Sequence, residues 1–212
     1  MTLNVILGAG GFARETALVY AAAGFPFDGY LSDDEKQWGI EYEYGSCLGS
    51  IESITDEHVY FTPGIGNPDL KVQLVRRALA KGWEPETIIS PRAMLPYSFP
   101  KARFSVGEGS VICAGVSGTV NVKVGNYVNV NLNCTLGHDC VIDDYVNLTP
   151  DVNVSGFVHI EEQADIGCGA VILPGVTIGR RAVIGAGATV TKDVPPNEVW
   201  VGTPAKFVRT IG

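Results

Sequence analysis

An aliphatic residue recurs at every sixth position through the second half of the chain. Counting by six from Val106 to Val190 gives fifteen positions, of which fourteen are aliphatic and one is Gly118. Four residues after each of the first fourteen stands a small or aliphatic residue. A period of six differs from the 3.6 of an α-helix and the two of an isolated strand. It predicts a short strand and a corner, repeated as the coils of a solenoid that stack their aliphatic side chains.

The repeat weakens at its two ends. Upstream, weaker hexads continue the count at Ile88, Met94 and Pro100. Downstream, Pro195 and Pro196 follow the last aliphatic position, and proline lacks the backbone donor that a ladder needs. The pattern therefore predicts a solenoid over residues 86–194 that stops at the prolines. The tail, residues 195–212, is expected to fold back as a strand or short helix.

Residues 1–85 show the alternation typical of a small β/α unit. The apolar run Leu3–Leu7 predicts a strand, and the residues from Phe12 to Ala23 predict a helix after a glycine turn. "GYLSDD" predicts a second strand, and "VYFTPGIGNPDLKVQLVRRALAKG" predicts a third strand, a turn over residues 64–67 and another helix. The fold class is thus an α/β Rossmann-like subdomain followed by an all-β solenoid.

The glycine turn suggests a nucleotide site. Gly8, Gly10 and Ala13 match G-x-G-x-x-G/A in the strand-turn-helix context that this motif needs. With Gly11, these glycines let backbone N–H groups at a helix N-terminus approach a pyrophosphate. Asp33 or Asp34, at the end of the second strand, could accept hydrogen bonds from a base or ribose. The alternative is a purely structural turn that packs the helix on the strand. Residues 1–85 are too few for a complete dinucleotide domain, which favours a single nucleotide.

The composition narrows the class of protein. Hydrophobic residues make up 46% and charged residues 18%, as in soluble globular proteins. No apolar run approaches the ~18 residues of a membrane span, and glycines interrupt the N-terminus too early for a secretory signal. These features predict a cytoplasmic protein without a membrane partner. The net charge of -8 argues against nucleic acid as a partner. Five cysteines without CxxC spacing predict free thiols.

The two parts together resemble the hexapeptide-repeat sugar O-/N-acyltransferases of the sialic acid O-acetyltransferase family. Within it, the chain is most similar to acetyl-CoA-dependent N-acetyltransferases of nucleotide-linked 4-amino-4,6-dideoxy sugars. The resemblance covers essentially the whole chain, and its motifs are "GAGGFARE", "SDD", "GIGN", "NLNCTLGHDC", "NVSG" and "VGTPAK". It implies a left-handed parallel β-helix in which residues 18 apart stack. It also implies a homotrimer with active sites between subunits.

The resemblance implies a catalytic role for four residues. His138 corresponds to the family's general base, Asp139 to its acidic neighbour and Asn131 to the family asparagine seven residues earlier. Gly156 stands one coil after His138, where the family binds the thioester carbonyl with a backbone N–H. A neutral imidazole suits removal of a proton from an attacking amine or hydroxyl near pH 7. Direct transfer through a ternary complex is expected, because no cysteine or serine nucleophile is required.

The resemblance also places acetyl-CoA, as a co-substrate, along the C-terminal coils near the tail, and implies no metal. Gly156, Cys168 and Ala186 correspond to positions that contact the coenzyme through their backbone. The candidates for its phosphates are Thr191, Lys192, Lys206 and Arg209, with ordinary surface solvation as the alternative. On the sugar-nucleotide side, "GIGN" adds Gly66 and Asn67. Phe12 stands where relatives often carry a histidine, so it could stack on the substrate or simply pack.

Three alternatives stay open at this stage. The acceptor could be a hydroxyl, which makes the protein an O-acetyltransferase of a sugar or small metabolite. The solenoid could also be a binding module without catalysis, with the first domain as a nucleotide sensor. A γ-type carbonic anhydrase uses the same solenoid but needs three histidines around zinc. The chain has only His58, His138 and His159, and His58 lies in the first domain.

Overall fold

The computed structural model describes residues 2–56, 58–96 and 103–211. Its first part is a sheet with the strand order β3-β4-β2-β1-β5-β6, flanked by two helices. The elements are β1 Thr2–Leu7, α1 Gly11–Ala23, β2 Gly29–Leu31, a 3-10 helix Glu35–Gln37, β3 Glu41–Tyr42, β4 Gly45–Gly49, β5 His58–Pro63, α2 Pro68–Ala80 and β6 Glu84–Pro85. The three strands and two helices predicted from the sequence are present, with β3, β4 and β6 in addition.

The centre of this sheet explains the unbroken apolar run near the N-terminus. β1 pairs in parallel with β2 on one side and with β5 on the other. A parallel strand covered on both faces has no solvent side, and Val5, Ile6 and Leu7 are fully buried. Neither helix of the described residues is long and apolar enough to cross a membrane.

The second part is a left-handed parallel β-helix, which confirms the solenoid predicted from the hexads and the hand implied by the resemblance. Three sheets form the three faces of the coils, and neighbouring strands within a sheet are 18 residues apart between Ser105 and Val190. One face contains β7 Ile88–Ile89, β9 Val111–Ile112, β12 Asn129–Val130, β15 Asn147–Leu148, β18 Asp165–Ile166 and β21 Val183–Ile184. The second contains β10 Ser117–Gly118, β13 Thr135–Leu136, β16 Asn153–Val154, β19 Val171–Ile172 and β22 Thr189–Val190. The third contains β8 Ser105–Val106, β11 Lys123–Val124, β14 Val141–Ile142, β17 His159–Ile160 and β20 Thr177–Ile178.

The aliphatic hexad positions form the core of the solenoid. From Val124 to Val190 these side chains are at most 4% exposed. Gly118 interrupts the pattern because a neighbour already occupies its place. A Cβ atom on Gly118 would overlap the ring of Phe104 and would lie 3.1 Å from Cδ2 of Leu95. Phe104 therefore replaces the missing aliphatic side chain in the first coil.

The upstream hexads are present, but their predicted phase is wrong by one residue. Ile88 pairs with Val111, which is 23 rather than 18 residues later, so Ile89 aligns with the aliphatic stack. Leu95 packs against the core, whereas Met94 is 70% exposed. Pro100 lies outside the described residues.

The tail continues the solenoid instead of leaving it. Strand β23, Glu198–Val201, pairs in parallel with β21, and β24, Lys206–Thr210, folds back antiparallel to β23. The prediction that Pro195 and Pro196 stop the coil is wrong, because they occupy a corner above Gly179. The next residue, Asn197, resumes the corner pattern by donating its N–H to the carbonyl of Arg180 at 2.9 Å. A proline at such a corner removes no bond from the ladder.

A buried lysine joins the two parts. Lys71 of α2 is fully buried against the face that contains β12 and β15. Its Nζ donates to the carbonyl of Tyr127 at 3.0 Å and to Oδ1 of Asn147 at 2.6 Å. Burial lowers the pKa of Lys71 to about 7, and the charge of Asp165 opposes this shift. The first domain is therefore fixed to the solenoid by buried polar contacts.

Candidate active site

His138 and Asp139 occupy the corner between β13 and β14. The backbone of Asp139 is left-handed, with φ 58, and its N–H donates to the carbonyl of Val120 at 3.0 Å. This conformation turns the chain from one face to the next while keeping the coil bonded to the coil below. The His138 side chain remains 53% exposed, so a substrate can reach it.

The two residues form a hydrogen-bonded pair. Nδ1 of His138 lies 2.9 Å from Oδ2 of Asp139, and Nδ2 of Asn121 donates to Oδ1 of Asp139 at 3.0 Å. The hydrogen bonds from His138 and then Asn121 lower the pKa of the Asp139 carboxyl. An ionised Asp139 favours the tautomer with its proton on Nδ1, which leaves the lone pair of Nε2 free to accept a proton. This is the arrangement that a general base requires.

Gly156 lies directly above the imidazole, one coil later. A Cβ atom at this position would stand 2.5 Å from both Nε2 and Cε1 of His138, so only glycine leaves room for the ring. Within the described residues, the N–H of Gly156 has no hydrogen-bond partner, whereas its carbonyl accepts from Gly175 at 3.0 Å. The ring of Phe157 meets the imidazole edge-on, with centroids 4.9 Å apart. A free acceptor on the exposed imidazole and an unpaired donor on the buried Gly156 thus lie at one corner.

Other predicted residues lie at a different corner of the same chain. Asn131 follows β12, Cys168 follows β18 and Ala186 follows β21, and these three strands belong to one face. His138 and Gly156 follow strands of the next face. Asn131 is 8% exposed, and its Oδ1 accepts the N–H of Leu132 at 2.7 Å. Within one chain, a whole face separates the corner of Asn131 from the corner of His138. The catalytic role of Asn131 therefore stays a prediction that depends on contact between subunits.

The second corner nevertheless presents backbone donors. Cys168 and Ala186 are exposed and stand one coil apart. Across the described ranges, neither of their N–H groups has a hydrogen-bond partner. Cys168 is an exposed free thiol, whereas the core positions Cys134 and Cys140 are fully buried.

The predicted cations lie towards the C-terminal end. Thr191 and Lys192 continue the corner of His138 three coils further on, and both are exposed. The Nζ of Lys192 lies 5.2 Å from the ring centroid of Trp200. Lys206 and Arg209 are exposed on β24.

A second candidate site is a cavity of about 300 Å³ in the first domain. Four predicted residues line it: Gly8, Gly10, Asp33 and Asp34. Gly8 has φ 106, and a Cβ atom there would stand 2.6 Å from Cδ1 of Ile65, so the turn requires glycine. Helix α1 begins after Gly10 without a side-chain cap and without an acidic residue in its first turn. Its free N–H groups and positive dipole end favour an anion.

The remaining predictions for this domain have mixed outcomes. Both carboxylate oxygens of Asp33 accept from Arg77, at 2.6 and 2.9 Å, and these bonds lower the pKa of Asp33. Asp34 accepts the N–H of Lys36 at 3.1 Å through Oδ1.

Phe12 is half-buried and packs against the core beside α1, outside the cavity lining. Asn67 caps α2 by accepting the N–H of Leu70 at 2.9 Å. Gly11, Gly66 and Asn67 also lie outside that lining.

Two residues beside His138 were missed from the sequence. Asn121 stands 18 residues before Asp139, and Phe157 stands 18 residues after it. Since residues 18 apart stack, the coil period that located Gly156 also predicts both neighbours.

The histidines do not form a metal site. His58 lies on β5 and His138 at a solenoid corner, while His159 on β17 contacts Asp143, with Nε2 2.9 Å from Oδ2. Over residues 2–56, 58–96 and 103–211, no group of three potential ligands could hold a metal ion.

Family models match both parts of the chain. Residues 5–78 match the PglD N-terminal domain, and residues 157–192 match the bacterial transferase hexapeptide. The GDP-perosamine N-acetyltransferase of Escherichia coli O157:H7 is 32% identical over 224 residues, which cover 99% of this chain and 97% of that protein.

Solved structures show the same architecture. PerB from Caulobacter crescentus, in complex with CoA and GDP-perosamine, superposes with a TM-score of 0.89 at 27% identity, covering 99% of this chain and 98% of PerB. The acetyltransferase domain of PglB from Neisseria gonorrhoeae, in complex with acetyl coenzyme A, gives a TM-score of 0.86 at 29% identity and covers 97% and 98% of the two chains. The similarity spans both the β/α part and the solenoid.

Proposed function

This chain belongs to the hexapeptide-repeat acetyltransferases with a PglD N-terminal domain, and from that membership we propose that it acetylates the amino group of a nucleotide-linked amino sugar, with acetyl-CoA as donor. The acceptor class follows the relatives that act on GDP-perosamine. A 4-amino-4,6-dideoxy sugar is the proposed acceptor.

The observation that carries the chemistry is the convergence of His138, Asp139 and Gly156. Nε2 of His138 takes a proton from the amine as the amine nitrogen attacks the thioester carbonyl. The N–C bond forms and the C–S bond then breaks, and the protonated imidazole returns a proton to the leaving thiolate. Asp139 holds the imidazole through Nδ1 and stabilises its charged form. No residue of the chain becomes covalently acetylated.

The N–H of Gly156 is the proposed oxyanion donor. It has no partner among the described residues and lies beside the base, where the thioester carbonyl must sit for the attack. A preorganised backbone donor stabilises negative charge that develops only in the transition state. Because Gly156 lies against the imidazole of His138, the base and the oxyanion donor keep fixed positions relative to each other.

The remaining half of the site is proposed to come from a second subunit. The donors of Cys168 and Ala186 lie on one corner and His138 on another, so a single chain cannot surround one coenzyme with both. In the proposed homotrimer, the His138 corner of one subunit packs against the Cys168 corner of its neighbour. This contact completes the groove and adds the neighbour's Asn131. Lys192, with Thr191, lies along the same groove, three coils from the base.

The phosphate groups of the two substrates are assigned to two separate regions of the protein by charge. The backbone donors around Gly10 and Gly11 at the start of α1 suit the pyrophosphate of a sugar nucleotide. Asp34 keeps one oxygen free for the base or ribose, since Asp33 is already held by Arg77. Lys192, Lys206 and Arg209 are the proposed source of positive charge for the coenzyme's phosphates, and the proposal therefore includes the tail in the coenzyme site.

A substrate panel tests the proposal. UDP-, dTDP- and GDP-linked 4-amino sugars are incubated with acetyl-CoA, and release of coenzyme A is followed. Matched sugars with a 4-hydroxyl group serve as controls. Turnover of an amino sugar alone is the expected result. Turnover of only the hydroxyl sugars would make the protein an O-acetyltransferase, and nucleotide binding without any turnover would favour a binding module.

Mixing two inactive variants tests the shared site. His138→Ala removes the base, and Ala186→Trp blocks the second corner. Random co-assembly of equal amounts is expected to restore about a quarter of wild-type activity, because a quarter of the interfaces in a cyclic trimer combine two intact halves. Activity is measured after joint refolding and compared with each variant alone. A site built within one chain predicts no recovery.

A further inference from the structure

The turn over residues 64–67 forms a bridge between the nucleotide cavity and the solenoid. The N–H of Gly64 donates to the carbonyl of Leu7 at 2.8 Å, which ties the turn to the end of β1. The Ile65 side chain lines the cavity and lies against Gly8. Any displacement of Ile65 therefore changes the wall of the cavity.

Two buried amides hold this turn from the solenoid side. Asn129 and Asn147 stack on neighbouring coils and are 3% and 2% exposed. Nδ2 of Asn129 donates to the carbonyl of Ile65 at 2.8 Å, and Nδ2 of Asn147 donates to the carbonyl of Gly66. Successive carbonyls of the turn are thus bound by successive coils.

The orientation of the amides is set by Lys71. Oδ1 of Asn147 accepts from Nζ of Lys71 at 2.6 Å and from Nδ2 of Asn129 at 2.9 Å. Nζ of Lys71 donates to the oxygen of the Asn147 amide, so the amide nitrogen of Asn147 points to the turn. Lys71 belongs to α2, which begins directly after the turn, so the turn and α2 are held together.

Asn129 also leaves a buried polar atom unsatisfied. Its Oδ1 has no hydrogen-bond partner within the described residues. A buried unpaired oxygen is unfavourable for folding, and an aliphatic side chain would avoid it. Stability alone therefore gives a poor reason for an asparagine here, whereas its donor to Ile65 gives a specific one.

We infer that Asn129 and Asn147 are positioning residues for the nucleotide cavity: through Ile65 and Gly66 they fix its wall relative to the solenoid. This inference rests on the proposed function, because it assigns the cavity to the nucleotide of the sugar substrate. The solenoid thereby contributes to nucleotide affinity without touching the nucleotide.

The test is Asn129→Ala in the full-length protein. This change removes the donor to Ile65 and leaves the contact of Lys71 with Asn147 in place. It is expected to raise KM for the nucleotide sugar ~5- to 20-fold, the effect of one buried hydrogen bond, with kcat changed less than about 2-fold. The KM for acetyl-CoA is expected to stay unchanged, because the Asn129 side chain donates to Ile65 and Asn147 and to none of the groups assigned to the coenzyme. The dissociation constant of the free nucleoside diphosphate, measured by calorimetry, rises in parallel with the sugar-nucleotide KM.

Asn126→Ala is the matched control, because Asn126 bonds only within the solenoid, to Glu108 and Asp144. It is expected to keep nucleotide affinity. The inference is overturned if Asn129→Ala binds the nucleotide like the wild type, or if both variants weaken nucleotide and acetyl-CoA binding equally. If no amino sugar is turned over but Asn129→Ala still weakens nucleotide binding, the proposed function fails and the positioning role stands.

Discussion

Replacing His138 by alanine is expected to lower kcat by roughly 10²- to 10⁴-fold, the usual contribution of a general base. The amine then has no acceptor for its proton at the moment of attack. Binding of acetyl-CoA is expected to persist, because the donors at Gly156, Cys168 and Ala186 belong to the backbone. Initial rates of coenzyme A release give kcat, and calorimetry with coenzyme A gives the affinity.

The chain offers a matched control for this change. His159 also pairs with a carboxylate at 2.9 Å, that of Asp143, but it lies on β17, the face that follows the corner of Gly156, and not at the corner itself. His159→Ala is therefore expected to keep activity within about 2-fold, as for a surface substitution. Full activity in His138→Ala, or an equal loss in His159→Ala, contradicts the assignment of the base.

Lys71→Met is expected to reduce the free energy of unfolding by about 2–4 kcal/mol. Methionine fills a similar volume but leaves Oδ1 of Asn147 and the carbonyl of Tyr127 without the buried donor. Chemical denaturation at equal protein concentrations measures the loss. Lys123→Met, at an exposed position of β11, is the control and should change stability by less than about 0.5 kcal/mol. Equal effects of the two changes would contradict a locking role.

The same lysine predicts a pH dependence. The pKa of Lys71 is about 7 in the folded protein and has the usual lysine value in the unfolded chain. At a pH between these two pKa values, the unfolded chain therefore binds more protons than the folded protein. The contribution of Lys71 to stability therefore rises with pH above about 7, by at most ~1.4 kcal/mol per unit. In Lys71→Met this slope is absent. The difference in unfolding free energy between wild type and variant should thus increase from pH 7 to pH 9, and a constant difference would contradict the lowered pKa.

The sequence predicted the solenoid well because its information is local and repeated. Each hexad defines one strand and one buried side chain, so every strand from Ser105 to Val190 follows from counting. The count failed upstream, where 23 residues separate Ile88 from Val111 and the phase shifts by one. The count by six also did not explain Gly118. The side chain of Phe104 fills the core position next to this glycine, and Phe104 is not one of the hexad positions.

Contacts between the two domains could not be predicted in this way. Lys71 lies 56 and 76 residues from its partners Tyr127 and Asn147, and a lysine in an amphipathic helix normally indicates a solvent-facing position. The resemblance placed Asn131 in the catalytic set. The fold puts it on another corner, and no spacing within one chain shows which corners meet between subunits.

The regular stacking of the coils has a consequence for the size of the acyl donor. His138 and Lys192 occupy the same corner three coils apart, and adjacent strands are ~4.8 Å apart. Adding or removing a coil between Gly156 and Lys192 is expected to shift the proposed phosphate-binding cations by one such step, while the reacting atoms keep their places. Under the proposed function, the number of coils between His138 and Lys192 therefore sets how far the donor must extend from its phosphates to its thioester.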